Sequence, residues 1–530
     1  MPSMQASLHR AVRGVIHGCL TSAQAPQEEV PERSSLLCST IVDADDTCLK
    51  CVRLGKKCQY PAGRKAYGSP QEDLEDMQFA SMSTPTSASE VSNFIASSVS
   101  KFPTAFFLDA DLFQPISHDA LRCTSEVPPY ISELLGPNMM DICESYFGSI
   151  DLWFPFVSRK KVRQDLEAGV SAELALLLLC MKLVSGSTPA DNMHQSAAEI
   201  ATYQAARRFA NALEVIIPTS MRLFQSLVLI ALYEIGHGIC PTAYLTISLA
   251  ARLGLLRGVH DRNNATQLFQ IPPTWTHWEE ERRTWWATSI LERYMNLGPT
   301  GFPLATPEPV QGELLPISDT EWFRGSIGTS QPLYTTGFST DSEIGSFART
   351  CQASHILGRV LAHRNSRKDS VIQKETLDQA LQLEATLGAL DSHLSQSTDG
   401  GSTIVDLALC TVARLTLYHG YACIQPGARG ERLPEESNMQ NASIRGLKQI
   451  ISTRGPMIAT FVIQQAAIDV NSLSPLVIQV LYDIATECQW FVREGDVADG
   501  ADTTLQLAME ALILLSQRWM VACAYRCRQK

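Results

Sequence analysis

Several features are scarce in this chain of 530 residues, and each scarcity removes a class of protein. No apolar run comes near the roughly 20 residues that a membrane-spanning helix needs. The longest, Leu174 to Met181, is stopped by Lys182. Cysteine is thin, 15 in all, which excludes a disulfide scaffold. Outside one N-terminal group the cysteines lie singly. Cys180, Cys240, Cys410 and Cys488, set in apolar stretches, read as buried free thiols. That fits a reducing compartment, cytosol or nucleus. No run of alternating apolar and polar residues marks a β-strand. The marks of catalysis are missing too: no Gly-x-Ser-x-Gly elbow, His-Glu-x-x-His pair, P-loop or Gly-x-Gly-x-x-Gly turn. The histidines are scattered. His237, between two glycines, and His260, before Asp261, read as helix-end or core residues. The chain is therefore expected not to be an enzyme.

What is present is a globular composition, 45% hydrophobic and 18% charged, on a chain too long for one compact core. The net charge of −12 does not draw the whole molecule to nucleic acid, but the sign is uneven. Between Thr47 and Lys65 stand Lys50, Arg53, Lys56, Lys57, Arg64 and Lys65, with no acid among them. A local basic patch on an acidic chain is the electrostatic footprint of a phosphate contact; a solvated linker is the other reading. The same stretch carries Cys48-x2-Cys51-x6-Cys58, with Cys38 ten residues earlier. A C-x2-C turn offers two thiolates to one ion, a third sulfur can reach round after a helical turn, and Cys38 can complete a tetrahedral set for Zn2+. Metal binding would then fold a segment that has no core of its own. The bland alternative is free thiols on a disordered strand.

Four regions follow from composition and periodicity. Residues 1–37 show no defensible period; the first 27 hold Arg10 and Arg13 but no acid, faintly like a mitochondrial presequence. Residues 38–62 are the cysteine-basic element. Residues 63–128, rich in Ser, Thr, Pro and acid, bury too little apolar surface to offset chain entropy and read as a flexible linker. From 129 to 530 the pattern is helical. Helices are expected over Glu173–Val184, Ala201–Ile217, Met221–Ile235, Thr242–Leu256, Trp278–Leu297, Gly345–His363, Lys374–Leu390, Thr403–Tyr421, Ala442–Ser452, Pro475–Phe491 and Thr503–Cys527. Ser185–Asp191 reads as a loop and Pro299–Thr340 as irregular. The fold class is all-α: a large multi-helix domain, open to division into two sub-lobes, preceded by a short metal element and a disordered linker. In Trp278–Leu297 the side chains of Trp286, Ile290, Tyr294 and Leu297 form a stripe for burial. Arg282, Arg283, Glu292 and Arg293 are read as core ion pairs, with a ligand contact as the other reading.

The stretch Cys48–Pro61 closely resembles the second half of the fungal binuclear zinc cluster (Zn2Cys6) DNA-binding domain. Cys38, Cys48, Cys51 and Cys58 match its third to sixth cysteines, with the loop Ser39–Thr47 between. Glu28 and Pro31 stand where its first two cysteines would be, and its basic recognition helix is replaced by ERSSLL. The resemblance thus implies one zinc, not two, with phosphate contacts retained and base reading weakened. Ala250–Leu256 (AARLGLL), Glu279 to Trp286 (EEERRTWW), Leu291-Glu292-Arg293-Tyr294, Tyr146-Phe147 and Trp153-Phe154-Pro155-Phe156 resemble the fungal-specific transcription factor middle homology region over about residues 138–330. So do Gly301 to Leu304, Leu314-Leu315-Pro316 and Asp319 to Trp322.

The resemblance implies a nuclear, zinc-dependent regulator of RNA polymerase II transcription that binds double-stranded DNA. A homodimer and a small-molecule effector of the helical domain are further expectations. The second reading is a truncated helical interaction protein that does not read DNA and modulates full-length factors. The third is a helical enzyme, for which only Asp43-Ala44-Asp45-Asp46, outside the helical domain, resembles a magnesium-binding acid cluster.

Overall fold

Two long segments of the helical region have almost no polar side, and they form its centre. Leu174 to Met181 and Leu227 to Tyr233 are buried on every face. A computed structural model describes residues 126–186, 196–261, 272–298, 302–334, 344–367, 374–396, 404–422, 433–494 and 500–528. All of these lie in one compact unit, Phe94–Lys530. The expectations for 1–125, the metal element and most of the linker included, lie outside the described residues.

The α-helices are, in chain order, α1 (Pro129–Leu135), α2 (Met139–Phe147), α3 (Arg159–Ala168), α4 (Ala172–Ser185), α5 (Ala201–Ile216), α6 (Met221–His237), α7 (Thr242–Leu256), α8 (Trp275–Met295), α9 (Asp319–Arg324), α10 (Ser346–Ser366), α11 (Lys374–Gln396), α12 (Val405–His419), α13 (Pro434–Gln449), α14 (Gly455–Ile468), α15 (Ile478–Glu494), α16 (Ala501–Ser516) and α17 (Met520–Arg528). No strand occurs among the described residues; one isolated antiparallel bridge joins Leu314 and Pro332. None of the described helices is long and apolar enough to cross a membrane.

The start signals are local. Ser171 Oγ accepts from Leu174 N at 3.2 Å, Ser220 Oγ from Leu223 N at 3.1 Å, and Thr274 Oγ1 from His277 N at 3.4 Å, capping α4, α6 and α8. Gly238 ends α6 in the left-handed region at φ 69°. The packing is tertiary. α6 touches α4, α5, α7 and α8; α10 links α8 to α11 and α12; α16 lies against α14 and α15. One continuous apolar core runs through all of them.

Three expectations need correction. Thr503–Cys527 is not one helix but α16 and α17, separated at Gln517-Arg518-Trp519. Tertiary contacts override the period there. Trp519 is fully buried, its indole donates to Leu473 O at 2.8 Å, and the Arg518 guanidinium donates to the carbonyls of Val184 and Gly186 that end α4. Ala442–Ser452 is part of a longer run: α13 passes through a π turn, Ile450–Arg454, into α14. Gly455-Pro456 opens α14, and proline is tolerated in a helix's first turn, where its missing N–H has no partner to lose. Cys240 is exposed, because it sits in the turn between α6 and α7; Cys180, Cys410 and Cys488 are buried as expected. Within Pro299–Thr340 the described residues are irregular apart from the short helix α9.

Candidate functional site

Helix α8 carries the densest charge in the core, and its first half is the hub of the N-terminal helices. Every residue of Glu279 to Arg283 reaches a segment outside α8, Glu279 and Arg283 meeting at Ile317. Arg283 is fully buried, and its nitrogens donate to Glu279 Oε1 (3.0 Å), Pro155 O (2.9 Å), Asp319 Oδ1 (3.0 Å) and Ile317 O (2.7 Å). Its plane lies over Trp322 and Phe347, 4.8 and 5.3 Å from their centroids. Asp319 in turn accepts from Phe347 N at 2.9 Å, which fastens the start of α10. Glu279 also accepts from Ile317 N at 2.9 Å and from Arg282 at 2.8 Å. Arg282 goes on to Ser330 Oγ at 2.8 Å, and Glu281 takes Arg257 of the α7 end at 2.7 Å.

Glu280 faces the other way. It accepts from Ser158 N (3.0 Å), Gln225 Nε2 (3.0 Å) and Arg222 Nη1 (3.2 Å), with Lys161 Nζ at 3.6 Å. Burial by itself would raise its carboxyl, but Arg222, Lys161 and these hydrogen bonds outweigh it and hold the group below the ordinary carboxylate value. Arg222 reaches Asp165 of α3 as well, at 2.7 Å. Apart from Arg257 Nε and Glu280 Oε2, which has only the Lys161 ammonium at 3.6 Å, these charges are hydrogen-bonded to one another or to the backbone, so this half of α8 is a structural clamp. The core-ion-pair reading of Arg282 and Arg283 thus describes them.

The second half of α8 is different. Glu292 accepts from Thr306 N at 2.9 Å and also from Ala305 N and Thr306 Oγ1, which pins the irregular segment to the helix. Arg293, 1% exposed, has no partner for Nε or Nη1. Burial lowers its pKa, against the pull of Glu308 and Glu292. His355 of α10 is nearby in charge terms: burial first, then Arg293 and Arg359, push it down to about 3. Glu308 Oε1 stands 3.5 Å from His355 Nδ1. Of the three α8 arginines only Arg293 leaves Nε and Nη1 without a hydrogen bond, and no sequence signal separates it from Arg283. A cavity of about 10 Å³ is lined by His260, Trp285, Trp286, Ser289, Glu308 and Glu313 among others, and Arg293 is not part of its wall.

The C-terminal half has a comparable clamp, matched throughout. Asp391 of α11 accepts from Arg414 of α12 at 3.0 Å and from Arg454 Nε and Nη2, both at 2.9 Å.

The described histidines and cysteines offer no catalytic pair. His237 lies between Tyr233 and Trp519, with ring centroids 4.3 and 5.5 Å away, and burial holds it neutral down to about 3. Burial raises the thiols of Cys143 to about 11 and of Cys488 to about 12, so neither is a thiolate near neutrality. Among the described residues no group of three or more His, Cys, Asp or Glu could hold a metal ion. The expected metal ligands Cys38, Cys48, Cys51 and Cys58, and the expected phosphate contacts Lys50, Arg53, Lys56, Lys57, Arg64 and Lys65, lie outside the described residues.

Comparison with known proteins places this architecture. Residues 143–386 match the model of the fungal specific transcription factor domain. The chain is 32% identical over 185 residues to "Transcription factor BOA15" of Botryotinia fuckeliana, covering 34% of this chain and 98% of that protein. It is 25% identical over 236 residues to "Pigment biosynthesis transcriptional activator pigB" of Monascus ruber, covering 41% of each. No solved structure matches. The chain belongs to the fungal-specific transcription factor domain family, a family of transcription regulators and not of enzymes.

Proposed function

We propose that this protein acts in the nucleus as a zinc-dependent regulator of RNA polymerase II transcription, with the helical body controlling a short cationic tip that grips double-stranded DNA. The family match over 143–386 carries the regulatory part of the reading. The stretch from Cys38 to Lys65 carries the DNA part. Three thiolates at C-x2-C-x6-C spacing plus Cys38 are a donor set that suits Zn2+, and six Lys and Arg residues without an acid suit phosphate. On this reading Cys38, Cys48, Cys51 and Cys58 hold the ion, and Lys50, Arg53, Lys56, Lys57, Arg64 and Lys65 neutralise backbone charge. A homodimer and a small-molecule effector complete the proposal.

Elemental analysis of the purified chain is expected to give about one zinc per molecule, the number four ligands allow. Duplex affinity should fall steeply with salt, and Lys56→Ala should lower the salt slope by about one. Absence of zinc together with indifference to duplex DNA in dilute buffer overturns the DNA part of the reading. One observation favours a second reading, a helical interaction protein that modulates full-length factors: Glu28 and Pro31 stand in place of two cysteines, and the basic recognition helix is replaced. Equal affinity for every duplex sequence would favour it.

A further inference from the structure

We propose that the groove at the start of α8 binds a planar aromatic molecule bearing a carbonyl oxygen, stacked on Trp275 and Trp278 and hydrogen-bonded by Arg282. This rests on the reading of the helical body as effector-controlled, and it gives that effector a place and a chemical class.

The first observation is the space. A cavity of about 450 Å³, open to solvent, is lined by Pro272, Pro273, Trp275, Trp278, Glu279 and Arg282 among others. That volume lies in the range of small-molecule sites. Trp275, Trp278, Glu279 and Arg282 recur at three- and four-residue spacing, so one face of α8 supplies the wall. Pro272 and Glu279 are buried, while Pro273, the two tryptophans and Arg282 are reached by solvent. The groove thus has an inner end, which suits a compact molecule better than an extended chain.

The second observation is a pair of tryptophans that the core leaves over. Trp153, Trp285, Trp286, Trp322 and Trp519 are buried. Trp275 and Trp278 are only half-buried, and among the described residues neither belongs to the continuous apolar core or to the side chains packed against it. A flat ring laid on an indole covers its apolar face, and an aromatic pair gains beyond the area it buries. Pro272 and Pro273 add apolar edges and offer no backbone N–H.

The third observation is a positioned donor. Arg282 Nη1 donates to Glu279 Oε2 and to Ser330 Oγ, both at 2.8 Å, which fixes the guanidinium in the wall. Its side chain is 22% exposed, and Nε and Nη2 make no hydrogen bond among the described residues. Arg282 and Arg283 are already balanced by Glu279 and Asp319, so a neutral carbonyl oxygen is enough to take the spare N–H groups. Glu279 also accepts from Ile317 N and Arg283, so a molecule held on Arg282 bears directly on the clamp.

The test uses the purified full-length chain and saturation-transfer NMR with three probes: coumarin, a fused aromatic ring with a carbonyl; δ-valerolactone, a carbonyl without an aromatic ring; and deca-proline. Saturable binding of coumarin, and none of the other two, is expected. Trp275→Ala should weaken coumarin roughly five-fold or more. Arg282→Gln should weaken it about three-fold or more. Trp490→Ala, which removes a tryptophan 44% exposed on α15, should change nothing. The proposal is overturned by binding that does not saturate, by unchanged affinity in Trp275→Ala or Arg282→Gln, or by an equal loss in Trp490→Ala. Binding of deca-proline with indifference to coumarin overturns it in favour of a peptide. If Arg282→Gln does not fold by circular dichroism, Trp275→Ala, which lies off the core, decides alone. Coumarin that binds without altering duplex affinity upholds the site and removes only the effector reading. Absence of binding removes the site and leaves that reading standing.

Discussion

Arg283 and Arg293 lie on the same helix, both shut off from solvent, and the fold treats them oppositely. Arg283 has an acceptor for every nitrogen, supplied by Glu279, Pro155, Ile317 and Asp319. Arg293 has none for Nε and Nη1. The first is what a structural charge looks like: beyond Glu279 of its own helix its partners come from two other segments, Pro155 and Ile317 to Asp319, so breaking it loosens both. The second is a charge whose surroundings were left incomplete. Stability alone gives no reason to keep such a group, since a buried ion without a match is costly and an apolar residue of similar volume is not. The contrast separates the hydrogen-bonded end of α8 from the end whose charge is left unmatched.

The largest effect is expected at Arg283. Arg283→Met leaves buried Glu279 and half-buried Asp319 without their shared cation, which costs about 3–5 kcal/mol. Denaturant unfolding followed by circular dichroism measures it, and a loss below about 1 kcal/mol would mean that the clamp is decorative. Next come two glycines. A Cβ on Gly254 would meet the Trp285 ring at 2.6 Å, and one on Gly358 would meet Arg293 Nε at 2.5 Å. Gly254→Ala presses on a stiff ring and should cost about 1–3 kcal/mol, the usual range for overpacking. Gly358→Ala presses on a guanidinium that has no bonds at Nε or Nη1 to break, so it should cost less. Finding Gly358→Ala the worse of the two would say that Arg293 is anchored after all.

Much of this architecture is legible in the sequence, for physical reasons that can be named. Ser171, Ser220 and Thr274 cap helix starts, and the helices α4 to α8 and α10 to α12 fall close to where three- and four-residue spacing puts them, whereas the short α9 lies in a stretch that reads as irregular. The glycine of AARLGLL and the tryptophans of EEERRTWW also explain each other: Gly254 is bare so that Trp285 can lie against α7. The misses share a cause. The break at Arg518-Trp519 is made by Val184, Gly186 and Leu473, and the passage from α13 to α14 by a π turn; neither is local. The same holds for the two arginines. Glu-Arg-Arg and Glu-Arg-Tyr look alike in one dimension, because the groups that complete Arg283 come from Pro155 and from Ile317 to Asp319.

A smaller effect concerns acid. His355 is neutral in the folded protein down to about 3, because burial, Arg293 and Arg359 oppose its charge. In the unfolded chain it takes a proton near its ordinary value of about 6.5. Between these values the unfolded state binds the extra proton, so stability is full above about pH 6.5 and is lost as pH falls toward 3. One such group contributes a slope of at most about 1.4 kcal/mol per pH unit. His355→Gln should flatten the acid limb of the stability curve by up to that slope. An unchanged limb would mean that His355 is charged in the fold and paired with Glu308.

The smallest effect is expected where intuition places a large one. Arg293→Met deletes a fully buried arginine from the middle of the core, yet it breaks no hydrogen bond at Nε or Nη1 and removes an unmatched charge. The methionine keeps much of the apolar volume and adapts to the remaining gap. Its stability at neutral pH should therefore lie within about 1 kcal/mol of the parent, or above it, as when a buried ion is exchanged for packing. It should also relieve part of the pressure on His355, so that the acid limb still begins near pH 6.5 but levels off at a higher pH and loses less in total. A loss of several kcal/mol, close to that of Arg283→Met, would erase the distinction between the two arginines. It would make the whole of α8 scaffold.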